Sequence, residues 1–501
     1  MVVPMTETQR KIGFLVCLVT IVLALLDLQI VSAATVPIVR DLDPAHGIDK
    51  IPWLVSAYAL ASAAMLPLYG KLCDVLGARR VFLGAVAAFL LGSALCGAAR
   101  SMDQLIAARA LQGLGGGGLM SITMVVIAQL KGPGESGGPA KGANTGGLVA
   151  GGAMAIGPWI GGLLADHADW RWIFYVNLPI GLAVLVTAAL ALRLPEHPVR
   201  RPLDYLGAGL AAAFSSTLLL VTDWGGKRYA WTSPALLGLA LTAAVTLALF
   251  LWRQVRAPEP VLPLSLFRVR ELRLGFAVQA ILGGAMMCAI YYVLVYLQVA
   301  RGIASSSAGL YLVPMALGLA ASGMLTGPLT ARGWSARTFT VCGTATTALA
   351  FVLLATTTGP GTSLWLVRGE LLLAGAGFGQ LVGQLLLLVQ SSAPPHQLGV
   401  ATTAVRFFQT LGNALGTAVF GSVLARLYAD QGPGGDISAL ARLTGPARAE
   451  GVHAFVDATQ AVFWGGAALM ALAALLALRL PRSGGAADSA APPRESEPVP
   501  V

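Results

Sequence analysis

The sequence predicts an all-α polytopic membrane protein with fourteen transmembrane helices. Three observations carry that prediction. Of the 501 residues, 56% are hydrophobic and only 11% are charged, against roughly 25% charged in an average soluble domain. Fourteen apolar runs are long enough to span a bilayer, which takes about 20 residues. The basic residues gather in short segments between those runs and fall unevenly on the two sides.

The runs follow one another along the chain. Residues 12–36 contain Asp27 and no small-residue cleavage site, so they read as a retained first helix and not as a signal peptide. Runs 52–70 and 80–99 flank the basic segment 70–80. Run 104–128 carries Arg109 and a string of glycines, and run 143–165 is glycine-rich around Pro158. Run 172–193 opens on aromatic residues of the kind that sit at a membrane boundary. Runs 204–222 and 234–252 are separated by a short loop starting Asp223-Trp224-Gly225-Gly226. Beyond the arginine-rich stretch 253–273 come 274–299, 307–330, 338–358, 366–390, 398–426 and 456–479. The last residues, 482–501, are rich in Pro, Ser, Glu and Ala and are expected to form a disordered cytoplasmic tail.

An even number of crossings puts both termini on one side. With that side inside, the inner segments hold 20 of the 33 basic residues and the outer ones 11, which fits the positive-inside rule. The formal charge of +10 therefore reads as orientation in a membrane and not as a nucleic-acid surface. Cys17, Cys73, Cys96, Cys288 and Cys342 lie in or at the ends of apolar runs without a CxxC pair, so neither a disulfide, a metal site nor a cofactor is expected. No HExxH, GxSxG or other catalytic set appears in a predicted helix and no Walker motif occurs, so neither an enzyme nor a need for an ATPase subunit is expected.

The chain also repeats itself. Gly70-x-Leu72 with Arg80 recurs as Gly327-x-Leu329 with Arg337 at an offset of 257, and Gly157-x-x-x-Gly161 recurs as Gly412-x-x-x-Gly416 at 255. Two homologous halves with two helices inserted between them explain such offsets. The expected organisation is a six-helix bundle over 1–200, two linker helices over 201–256 and a second six-helix bundle over 257–481.

Four segments carry candidate chemistry. Residues 70–80, GKLCDVLGARR, combine Gly70 and Gly77 with Asp74, Arg79 and Arg80, which suit charge-assisted contacts between neighbouring helix ends. Such contacts would latch one conformation. Arg109 inside an apolar run demands a partner, and Asp27 in the first run lies at a compatible depth. A carboxylate in a low-dielectric site whose charge is tuned by a nearby cation is the minimum needed to couple a proton to another movement. In residues 146–162, Gly157, Pro158, Gly161 and Gly162 favour close packing and a local bend. Residues 170–179 read WRWIFYVNLP.

The 70–80 segment resembles the signature loop of the major facilitator superfamily, although Val75 and Ala78 replace positions that are usually basic. LDLQIVSAATVP, residues 26–37, the Gly157-Pro158-x-x-Gly161-Gly162 core and the aromatic stretch resemble motifs of its fourteen-helix drug:proton antiporters of the EmrB/QacA type. The resemblance implies a major facilitator fold, alternating access, and proton-driven efflux of drugs or small lipophilic secondary metabolites across the cell membrane. An exporter of one specific metabolite, such as an amino acid, sugar or siderophore, is the alternative. The partners are then a small-molecule substrate, protons and the bilayer.

The second half is sparing with charge. Glu370 and Asp457 sit near predicted outer helix ends within reach of solvent, and run 307–330 contains no acid, which argues against dicationic cargo. Gln29, Gln112, Gln298, Gln380, Gln384 and Asn413 are polar groups at membrane depth that either line a substrate cavity or bond between helices. Arg406, flanked by Phe407 and Phe408, either snorkels to the inner face or meets an anionic group.

Overall fold

The computed structural model describes residues 6–33, 35–43, 50–130, 169–192, 203–225, 232–303, 305–433 and 444–481, with 194, 229 and 440. Among these residues the chain is helical and no named strand forms; the one β-bridge joins Gly225 and Tyr229. In chain order the helices are α1 (Glu7–Ala33), α2 (Thr35–Leu42), α3 (Ile51–Leu76), α4 (Ala78–Ala98) and α5 (Met102–Leu130). After these come α6 (Trp172–Tyr175), α7 (Asn177–Ala191), α8 (Tyr205–Trp224) and α9 (Pro234–Arg256). The remainder are α10 (Arg270–Val299), α11 (Val313–Ala331), α12 (Ala336–Thr357), α13 (Leu364–Ser392), α14 (Leu398–Gln431) and α15 (Gly445–Leu478). Twelve helices of the described residues are long and apolar enough to cross a membrane. α14, at 34 residues, is a further long helix whose sequence carries Arg406, Gln409 and Asn413. The predicted run 143–165 and the tail 482–501 lie outside the described residues.

Several expected boundaries move. The segment 70–80 is not a loop: α3 continues through Leu76, Gly77 alone breaks the helix at φ 88°, and α4 starts at Ala78. Only glycine takes that backbone without strain. Pro37 does not close the first helix but lies inside α2, where a proline near a helix start loses no hydrogen bond. The expected outer loop 427–455 is largely helical, because α14 runs to Gln431 and α15 begins at Gly445. α10 passes through a π-helical turn at Cys288–Tyr292.

One apolar core gathers residues between Val16 and Leu194, with Phe82 and Phe89 fully buried. A second gathers residues between Val278 and Ala473, with Phe351, Phe378 and Phe455. α8 and α9 pack against each other, and α8 also packs on α3 and α14. Trp224 of α8 meets Trp53 of α3 edge-on at 5.6 Å. At the other end Lys71 Nζ of α3 pairs at 2.6 Å with Glu259, just beyond α9.

A packing device occurs twice. Gly113 and Gly117 of α5 press on Tyr58 O and Ser62 O of α3, while Gly115 presses on Phe89 of α4. Gly375 and Gly379 of α13 press in the same way on Met315 O and Leu319 O of α11, and Gly377 on Thr347 of α12. Tyr58 to Met315 is the 257-residue step already seen between Gly70 and Gly327. Small residues let membrane helices touch backbone to backbone, where dispersion and weak hydrogen bonds replace a hydrophobic driving force.

Alanine at Gly113 or Gly375 should therefore destabilise the protein by about 1–3 kcal/mol each through overpacking. Alanine at Gly84 or Gly369, where an added Cβ meets nothing within 4 Å, should not. Thermal unfolding of the four variants in detergent distinguishes the two groups.

Candidate functional site

α1, α4, α5 and α7 converge on a buried polar cluster. α1, α4 and α5 reach it five to seven residues from their ends on the same side of the molecule, through Asp27, Ser93 and Arg109, and α7 through its first residue, Asn177. The depth is about 8–10 Å at 1.5 Å per residue. Close approach makes the cluster possible: a Cβ on Gly92 of α4 would lie 2.5 Å from Gln112 N, so only glycine lets α5 come this near.

The predicted partnership of Asp27 and Arg109 forms. Arg109 Nη1 lies 3.0 Å from Asp27 Oδ2, with the two side chains 2% and 0% exposed. Arg109 also donates through Nε to Leu54 O at 3.1 Å and through Nη1 to Gln112 Oε1 at 2.6 Å, and its guanidinium sits 4.3 Å from the Tyr58 ring centre. Asp27 Oδ1 accepts from Gln112 Nε2 at 2.7 Å and from Asn177 Nδ2 at 2.9 Å. The second protons of those two amides go to Ser93 Oγ, which in turn donates to Phe174 O. The amide protons of Gln112 and Asn177 and the hydroxyl proton of Ser93 all find acceptors, which is what burying an ion pair in a low dielectric requires. The Asp27 carboxyl group is held by three donors.

Two members were not anticipated. Asn177 was in plain view within the aromatic stretch WRWIFYVNLP, and its place as the first residue of α7 points its amide at Asp27. Ser93 gave no signal, because one serine in an apolar run usually bonds its own helix. Gln112, read as lining a cavity or bonding between helices, bonds between helices in the ion-pair network.

The other predicted residues fall elsewhere. Gln29 has a described backbone in α1, but its side chain lies outside the described residues, as do Gly157, Pro158, Gly161 and Gly162. Gln298 is exposed. Gln380 bonds its own helix at Ala376 O, Gln384 is buried, and Asn413 Oδ1 is buried without a partner. None of these joins the Asp27 cluster. Asp457 is exposed, as expected, but Glu370 is not: it is 2% exposed, with Thr357 Oγ1 at 2.5 Å from Oε1. Glu370 stands six residues into α13 and bonds there to Thr357, the last residue of α12. Among the described residues Arg406 pairs with no acid. Its Nη1 donates to Gln409 Oε1 at 2.9 Å, and its Nη2 reaches Met120 Sδ of α5 at 3.2 Å.

The 70–80 segment joins distant parts of the chain. Asp74 accepts from Gly399 N at 2.7 Å and Val400 N at 2.9 Å. Those are orphan amides of the first turn of α14, where a carboxylate also meets the favourable end of the helix dipole. Arg79 Nη2 donates to Ala189 O in the last turn of α7 at 2.6 Å, the complementary arrangement at a helix C-terminus. Gly70 abuts Thr403 and Val400, so α3 and α14 touch directly at this end. Arg80 has partners as well.

A model of the Major Facilitator Superfamily matches residues 17–417. The chain belongs to that superfamily. It is a multi-pass membrane protein. Within the superfamily it is 35% identical over 84% of its length to an uncharacterized MFS-type transporter of Mycobacterium tuberculosis, and it spans 60% of that relative's length. It is 32% identical over 83% of its length to the multidrug transporter protein MdtP of Bacillus subtilis, of which it covers 76%. Among solved structures, the human organic anion transporter MFSD10 (TETRAN) superposes with a TM-score of 0.61 over 93% of this chain and 99% of its own, at 17% identity. That likeness is one of fold.

At the end of the molecule near the ion pair, but outside the membrane-spanning helices, Asp41 of α2 accepts from Trp170 Nε1 at 3.0 Å and Arg171 Nη1 at 2.9 Å. The indole donor first, and the guanidinium with it, hold the Asp41 carboxyl below its ordinary range. A depressed carboxyl contributes stability above its unfolded-state pKa and loses it as pH falls through the folded value. Asp41→Asn should therefore lower the melting temperature at neutral pH, and the difference from wild type should vanish in acid below the carboxylate range. For the buried pair, Asp27→Ala or Arg109→Ala should each cost about 3–5 kcal/mol, because an unpaired charge is left in the core. The double variant should be less unstable than the sum, as read from thermal unfolding.

Proposed function

We propose that the chain is a proton-coupled exporter of drugs or small lipophilic metabolites, working by alternating access in the cell membrane with both termini in the cytoplasm. The observation that carries this reading is the buried Asp27–Arg109 pair with its full set of donors. When helix movement takes Arg109, Gln112 or Asn177 away from the carboxylate, a proton takes the place of the lost donor. Helix movement and proton binding are thereby coupled through one group. The relatives named for multidrug transport and multidrug resistance and the glycine-proline motif at 157–162 support export as the direction.

The fourteen-helix antiporter type fits the helices: the twelve apolar ones, α14, and the predicted run 143–165. Two six-helix bundles with α8 and α9 between them fit the twofold packing of Gly113–Gly117 and Gly375–Gly379. In that arrangement the contact of Asp74 with α14 is a latch between the bundles on the cytoplasmic side. It breaks when α3 and α14 part, and the orphan amides of α14 then turn to water.

Reconstituted into vesicles with an imposed pH gradient, the protein should release protons when a lipophilic substrate is added. Asp27→Asn should reduce gradient-driven accumulation to the leak rate, because the amide has no proton to exchange. Accumulation at the wild-type rate in that variant would remove Asp27 as the coupling site. A panel in which only one metabolite moves protons would favour the dedicated exporter instead.

A further inference from the structure

Arg406 is a cation within α14 that has no acid beside it among the described residues. It lies eight residues into α14, about 12 Å from the end that Asp74 caps. Of its five N–H donors, the bonds formed among the described residues use Nη1 to the neutral amide of Gln409 and Nη2 to the thioether of Met120. A thioether is a weak acceptor. Arg109 shows what this same fold does with an arginine it means to neutralise: a carboxylate at 3.0 Å, a backbone carbonyl and an amide oxygen. Arg406 has none of the charge compensation, and an uncompensated cation in a low dielectric is costly.

Its surroundings are those of a binding seam. Three helices meet there, with Met120 on α5, Gln409 on α14 and Met286 on α10, whose Sδ lies 3.6 Å from Gln409 Nε2. A little further along, Gln390 of α13 reaches Met124 O of α5 and Thr402 Oγ1, both at 3.4 Å. Met120, Met124 and Met286 are all partly exposed. Methionine side chains are flexible and polarisable and adapt to apolar bodies of different shape, while a guanidinium presents a planar fork matched to a carboxylate.

We propose that Arg406 is the anchor for an anionic group on the transported molecule, with the methionines taking its lipophilic part. This rests on the export reading above and gives its substrate class: lipophilic organic anions, carboxylates foremost. The anchor and the proton pair are separate. Along α5, Met120 stands eleven residues beyond Arg109, about 16 Å. Substrate and proton then need not compete for one carboxylate; they meet only through the movement of α5 against α14. The missing acid in α11, which speaks against dicationic cargo, agrees with an anion.

The test is equilibrium binding of a fluorescent lipophilic monocarboxylate and of its methyl ester to the purified full-length protein, with no pH gradient. Wild type should bind the carboxylate about tenfold or more tightly than the ester, the worth of a charge-assisted pair. Arg406→Gln should abolish that preference, and Arg406→Lys should keep part of it, since charge remains without the fork. Equal binding of acid and ester by wild type overturns the proposal, as does a preference that survives in Arg406→Gln. Should Arg406→Gln fail to fold, the wild-type comparison and Arg406→Lys still decide. Failure of the proton-coupling reading would appear separately, as carboxylate binding without proton release in vesicles.

Discussion

A charge cannot be left alone in lipid, and much of the N-terminal part of this molecule is organised around that constraint. Arg109 is neutralised by Asp27 from a helix 82 positions away in sequence, and the pair draws in Gln112, Asn177, Ser93 and the carbonyls of Leu54 and Phe174. To bring those groups within bonding distance, α1, α4, α5 and α7 must share one depth and α4 must touch α5 at Gly92. The glycines of α5 serve the same end, since Gly113 and Gly117 hold α3 close enough for Leu54 O and the Tyr58 ring to reach the guanidinium.

The two ends of the molecule use helix termini differently. At the 70–80 end, Asp74 and Arg79 satisfy the first amides of α14 and a last-turn carbonyl of α7. A single segment thus fastens helices far apart in the chain through backbone groups, which any sequence provides. At the opposite end Asp41, Arg171 and Trp170 tie α2 to the start of α6 through side chains. The first kind of link depends on helix position and breaks when helices move. The second depends on protonation. α8 and α9 add a third fastening, with Trp224 against Trp53 at one end and Glu259 on Lys71 at the other.

Much of the site was legible because polar groups stand out in an apolar chain. Asp27 and Arg109 were conspicuous for their cost, and Asp74 and Arg79 for their glycine frame. Asn177 could have been found from its motif, had its amide been weighed as a donor to Asp27. Ser93 could not, because its role depends on which face of α4 meets α5 and α7. Glu370 is buried against expectation for a similar reason: nearness to a helix end says nothing about the neighbouring helix, here α12 with Thr357, that meets it. Arg406 was visible as a charge, but its neighbours Met120, Gln409 and Met286 come from three helices and could not be listed from periodicity.

By itself the sequence determined the solvent and the secondary structure. With 11% charged residues and long apolar runs, water was excluded and backbone groups had to bond within helices. It also determined the identity of the ion pair, because few charges were available to meet Arg109 at its depth. Only the tertiary structure decided helix ends, such as the single-residue break at Gly77, and the partners of buried amides and hydroxyls. The physical reason is range. Hydropathy and helix formation are local sums over neighbouring residues. Which faces touch is set by glycine contacts and hydrogen bonds between helices that lie tens or hundreds of residues apart.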